Sequence, residues 1–279
     1  MKGSRFFLYS LLFGGWFMVA NSQGLEKGFV NYWRNGTFTQ TNIDLRRLSE
    51  GKIRARVDGK WQDFSVRKLP KDFLRWNFNK RIEMLRNLKE GKPPSLTGPH
   101  SGIVASYGGK RKDTQFSINC AVKGMGFIPK EEKLDEIIAL LKNTINDSFS
   151  NKVQRLESLY QNGEEIFDPT KQTSLELYTT PDFETHTFLN QMANPAVAIV
   201  FLDYPSYELK AITQLIHPDN PQLSPYERKA VEFINLIHDY FHSESPRKSI
   251  GVIYHIIEVF DNTPGKGRGQ RVVPERKKD

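Results

Sequence analysis

A single cysteine, Cys120, stands in 279 residues, so no intrachain disulfide can form and the fold has to rest on its core. That excludes the small disulfide-stapled scaffolds. Beyond residue 20 no apolar run is long enough to cross a bilayer as a helix. No cysteine stands just after the amino-terminal apolar run, so a lipobox-type anchor has no attachment point. Aromatic residues are missing from the basic carboxyl end, where base stacking would need them, and nucleic acid is not an expected partner. Two catalytic patterns are incomplete. Gly108-Gly109-Lys110 lacks the earlier glycine and the following Ser or Thr of a phosphate loop, and Gly98-Pro99-His100-Ser101-Gly102 sets its serine one place off the nucleophile-elbow position.

What is present begins with Lys2, Arg5 and an uncharged, mostly apolar run from Phe6 to Ala20, closed by small residues to Ser22. These are the three parts of a secretory signal peptide, expected over residues 1–22, with the mature chain exported to a periplasm or secreted. The remainder is long enough to bury one large core. A single domain is expected over 23–264, with a possible N-terminal subdomain at 23–95 where the Pro-, Gly- and Ser-rich stretch from Lys92 begins. The net charge of +8 is uneven: Lys2 and Arg5 supply +2, the fifteen residues from Gly265 supply +4, and the body keeps +2. Residues 265–279 alternate glycine with Lys and Arg and have little to bury. They are expected to form a flexible basic tail able to meet an anionic envelope polymer or lipid.

The periodicities predict an α+β fold, a mostly antiparallel or mixed sheet with helices packed on it. Ser224 and Glu227 make a capping box with Pro225 at the first helical position, and Ala230, Ile234, Ile237 and Phe241 then form an apolar stripe. Residues 249–260 are apolar on both faces and read as a central strand roofed by that helix. Asp58-Gly59 predicts a two-residue hairpin turn that sets Ile53 opposite Phe64 and Arg56 opposite Trp61. Pro70 opens a helix to about Lys89, with Arg75, Arg81, Arg86 and Lys89 on a solvated face. A second hairpin has its tip at 108–113, and Phe116, Ile118, Cys120 and Val122 are expected on its buried side. One long helix is expected at about 131–162, with Asn146-Asp147-Ser148 as the place for a break, and Tyr207 to Ile216 is read as a helix.

One constellation carries a nameable chemistry, His238-Asp239-Tyr240-Phe241-His242. Two histidines four apart on a helix stack on one face and can both reach one zinc ion. The five residues resemble the zincin motif His-Glu-x-x-His, with Asp239 where that motif has its general base. The resemblance implies His238 and His242 as metal ligands, Asp239 as water-activating base, and His255 or Glu258 completing the shell. Against it stands an amphipathic helix whose histidines border the apolar stripe. Two functions follow: an exported binding or structural protein of the cell envelope or secretory space that needs no cofactor, and a zinc-dependent hydrolase.

Overall fold

The computed structural model describes residues 30–275 except 94, 96 and 243, and the chain from Tyr32 onward forms one compact unit. The signal peptide expected over 1–22 and the final residues 276–279 lie outside the described residues. The elements are, in chain order, β1 (Ile43–Asp44), β2 (Lys52–Val57), β3 (Lys60–Ser65), α1 (Lys71–Lys89), β4 (Ser101–Tyr107), β5 (Ile118–Gly124), α2 (Glu131–Thr144), α3 (Phe149–Gln161), α4 (Gly163–Ile166) and β6 (Lys171–Glu176). They continue as α5 (His186–Ala193), β7 (Ala196–Phe201), β8 (Tyr207–Ile216), α6 (Pro225–His242), β9 (Ile250–Asp261) and β10 (Gln270–Val273). The α+β expectation holds.

Strands β1, β2 and β3 make a small sheet, and the other seven a large antiparallel one in the order β10-β9-β8-β7-β4-β5, with β6 also on β9. The double-sided strand β9 takes the place its composition requires, with β8 on one side and β6 then β10 along the other. Its residues from Ile250 to Ile256 are all buried. The large sheet curls until the chain just after β5 touches β6 at the isolated bridge Gly126–Thr173. Beside that bridge the buried Glu176 carboxylate takes Lys123 Nζ at 2.6 Å and Thr185 Oγ1 at 3.0 Å, which fastens the two ends together.

Cross-strand register defines two faces. Ala121, Val104, Ile199, Leu209 and Val259 lie in one row, and Cys120, Ala105, Ala198, Lys210 and Glu258 lie in the row beside it, pointing the other way. The first row faces the core: Val104, Ile199, Leu209 and Val259 are fully buried, and α1 lays Phe73 and Trp76 on Phe201 and Tyr207 of the same face, with ring centroids 5.2–5.7 Å apart. The second face is covered in parts. Val231 and Ile234 of α6 sit over Gly251 of β9, where a Cβ would come within 3.2 Å of Val231. Further along, Ile53, Ala55 and Val57 of the small sheet close over Ile212. Over β4 and β5 this face is open among the described residues, and Ile103, Tyr107, Ile118 and Val122 are exposed.

Five expectations are corrected. Tyr207–Ile216 is a strand, because β7 and β9 pair with it on both sides. From Ala211 on it is buried on both faces, which erases the two-residue alternation and leaves a spacing that imitates a helix. The long helix is two: α2 stops at Thr144 and Ser148 Oγ caps α3 by accepting the Asn151 amide at 3.3 Å. Ile118, Cys120 and Val122 do share a face of β5, but it is an exposed one, and Phe116, expected with them, comes before the strand and is exposed as well. Arg81 is buried, not solvated. The expected tail is ordered through residue 275, since Gln270–Val273 pairs with β9 as β10 and Arg271 meets Glu258 at 2.9 Å.

Candidate binding site

The histidine pair comes first. The capping box is made as read: Ser224 Oγ accepts the Glu227 amide at 3.2 Å, and Glu227 Oε2 accepts the Ser224 amide at 2.8 Å. Three turns later His238 and His242 stack with ring centroids 5.0 Å apart. Partial burial and repulsion from His238 hold the pKa of His242 below the ordinary histidine value. Asp239 points inward and is committed to the return loop, accepting the Ser245 amide at 3.2 Å and Lys248 Nζ at 3.0 Å. Burial alone would raise its pKa, but the hydrogen bonds from Lys248, Ser245 and His238 outweigh that and hold it below the usual carboxylate value.

His255 does not join this pair. In register it lies opposite Lys171, whose Nζ is 3.1 Å from the Tyr226 hydroxyl in the first turn of α6. Tyr226 is about 18 Å along the helix from His238 at 1.5 Å per residue. Glu258 lies on the outward row of β9 and is paired with Arg271. The geometry brings two of the sequence-nominated ligands together, and among the described residues no group of three or more His, Cys, Asp or Glu could hold a metal ion. Asp239→Asn is expected to cost about 1–3 kcal/mol, the range for hydrogen bonds to a buried charged group. Urea unfolding in chelator-treated buffer measures it, and an unchanged midpoint would refute the loop-fastening role.

The uncovered part of the large sheet is the stronger candidate, and the sequence reading missed it. Beside the small sheet lies a hollow of about 480 Å³. Ala105 and Ala198, neighbours on β4 and β7, form its floor, and their short side chains make it concave. Phe64 and Ile257 flank it toward the small sheet, and Tyr107 and Ile118 toward β5. The alternation Ala196-Val-Ala198 in β7 is the signal that could have revealed it, because two small outward residues on a central strand hollow a sheet face.

Both ends of the hollow are fastened. At one, the turn residue Asp58 accepts the Tyr107 hydroxyl and, at 3.2 Å, the Asn194 side-chain amide, clasping the small sheet to β4 and α5. That bond to the Asp58 carboxylate, with some burial, raises the pKa of the Tyr107 phenol. At the other end Lys210 pairs with Glu208 and lies 5.8 Å over the Phe260 ring, while Glu258 is held by Arg271. The charges there are matched, so the hollow presents an apolar floor with a neutral polar end.

Beyond the hollow the apolar surface continues along β5. Ile118 and Val122 are 65% and 70% exposed on either side of the exposed Cys120 along one face of β5, the last strand of the sheet, and Phe116, just before that strand, is 70% exposed. Isolated exposed apolar side chains are ordinary, but a contiguous strip joined to a concavity marks an interaction surface.

No family model, no curated protein and no solved structure matches this chain.

Proposed function

We propose that this chain is an exported binding protein that holds an elongated apolar molecule against the open face of its seven-stranded sheet. The observation that carries the reading is the union of the 480 Å³ hollow with the exposed strip on β5. A hollow of this size lies within the range of small-molecule sites, about 300–1,000 Å³, and its apolar floor supplies the driving force such sites use. Each large side chain that a ligand covers contributes about 1.5–3 kcal/mol. The Asp58 clasp and the matched charges at the far end hold the walls in place before any ligand arrives, which lowers the ordering cost of binding. Export is supported by Lys2, Arg5 and the apolar run from Phe6 to Ala20.

The test is a titration with a fluorescent long-chain acyl probe. Saturable binding is expected, displaced by the unlabelled acyl chain. Ala105→Arg, which raises a charged side chain from the floor, is expected to weaken binding at least about tenfold, or about 1.4 kcal/mol, with the thermal midpoint unchanged. Non-saturable binding, or equal affinity in the variant, would sink the reading.

A further inference from the structure

The tip of the β4–β5 hairpin, residues 108–117, is held out on a fixed base. The Gly109 amide donates to Asn190 Oδ1 at 2.8 Å, and Nε2 of His186 donates to the Gly109 carbonyl at 3.3 Å, which pins the tip to α5. A Cβ at Gly109 would come within 2.6 Å of the Leu189 backbone, so only glycine lets the two segments lie this close. Gly108 N donates to Ser117 O at 3.3 Å and closes the neck. Beyond the neck Lys110, Arg111 and Lys112 follow one another, and both lysines are exposed.

A second loop meets this tip. Strand β6 ends at Glu176 beside Lys123, and the chain continues as 177–185 into α5. The loop exposes Tyr178 and Phe183, and the Arg111 guanidinium lies 5.5 Å over the Phe183 ring. Arg247 donates to the Leu177 carbonyl at 2.6 Å and brings a further cation. Of the acidic groups on the two loops, Asp113 is taken by Arg111 at 2.6 Å and Glu184 by the Trp33 indole at 2.9 Å. Lys110, Lys112 and Arg247 therefore outweigh Asp182. Phe116 stands where the tip returns to β5, at the start of the exposed strip of Ile118 and Val122.

Exposed aromatic rings beside cations suit a membrane surface, where the rings settle at the level of the headgroups and the cations meet anionic lipid. A soluble polyanion would match the charge but leave Phe116, Tyr178 and Phe183 in water. We infer that the hairpin tip and the 177–185 loop dock together on an anionic lipid bilayer, which sets the strip on β5 as the path of an acyl chain from the membrane to the hollow. The path rests on the acyl-binding reading; the docking does not.

Cosedimentation of the full chain with vesicles tests the docking. Binding is expected to phosphatidylcholine vesicles containing about one-third phosphatidylglycerol, weaker in high salt, and at least about tenfold weaker to pure phosphatidylcholine. Lys110→Glu with Lys112→Glu is expected to weaken binding to the mixed vesicles at least about tenfold. Those positions are exposed and outside the hollow, so the thermal midpoint and the affinity for the acyl probe in solution should both stay as they are. Tyr178→Ser with Phe183→Ser is expected to lower vesicle binding several-fold at every salt concentration, because it removes the apolar part of the contact. No binding to the mixed vesicles, equal binding to neutral ones, or binding that neither double variant lowers overturns the docking, whatever the acyl titration gives. Vesicle binding by a chain that takes up no acyl probe would sustain the docking and remove the path.

Discussion

Acidification is expected to remove about 1.4 kcal/mol of stability per pH unit below the ordinary histidine range, and His255→Gln to abolish most of that slope. His255 is fully buried in the middle of β9. Its Nε2 donates to Gln214 Oε1 at 3.1 Å, and the amide of Gln214 donates in turn to Glu227 at 2.8 Å, which sets the tautomer. Nδ1 has no partner. Burial first, then the charge of Lys171, against an opposing pull from Asp168, brings its pKa from 6.5 down to about 3. An unfolded chain takes up a proton near pH 6.5 that the folded chain refuses until about pH 3. Between those values the unfolded state binds more protons, so this stability is complete above 6.5 and is lost as the pH falls. Asp239, with its pKa held low, acts in the same direction but below the ordinary carboxylate value. Urea unfolding at several pH values from 7.5 to 4 gives the slope, and His255→Gln keeps a donor toward Gln214 while removing the titration. Equal slopes in the two proteins would show that another group takes up the proton.

Arg81→Met is expected to cost about 3–5 kcal/mol, a fall of roughly 10 °C in thermal midpoint for a chain of this size. The guanidinium is buried between helix and sheet. Its Nε donates to Asn77 Oδ1 at 2.6 Å, and Nη2 donates to the carbonyls of Pro99 and Met125, each at 2.8 Å. It also lies 5.7 Å from the Phe127 ring centroid and 5.5 Å from that of Tyr160. One side chain thereby holds α1, the start of β4, the end of β5 and α3. Methionine fills most of the space but leaves two buried carbonyls without donors, each costing about 1–3 kcal/mol. Arg81→Lys should recover only part of the loss, because an ammonium lacks the planar fork that serves both carbonyls between the rings. Calorimetry decides the matter: a loss under about 1 kcal/mol for methionine would mean the carbonyls find water instead.

Arg81 also marks where sequence reading reached its limit. Its spacing on α1 placed it with Arg75 and Arg86 on a solvated face, and Arg75 and Arg86 are indeed partly exposed in ion pairs with Asp72 and Glu157. Only the segments around Pro99 and Met125, arriving from elsewhere in the chain, bury Arg81. Cys120 is the converse case. Its strand alternates as read, but alternation says which residues share a face and not which face is covered.

Local chemistry was enough wherever the cause is local. The capping box at Ser224, the Asp58-Gly59 turn with Ile53 opposite Phe64, the break before Ser148 and the double-sided strand at 250–261 follow from residues a few positions apart. Tertiary structure decided the rest: that Tyr207–Ile216 extends between two strands, that β10 ties down the basic end, and that the small sheet meets β4 at Tyr107 while the outward residues of β5 stay exposed. A pattern of apolar residues records a demand for burial. Whether that demand is met by the chain itself or left open to another molecule depends on segments distant in sequence, which no periodicity contains.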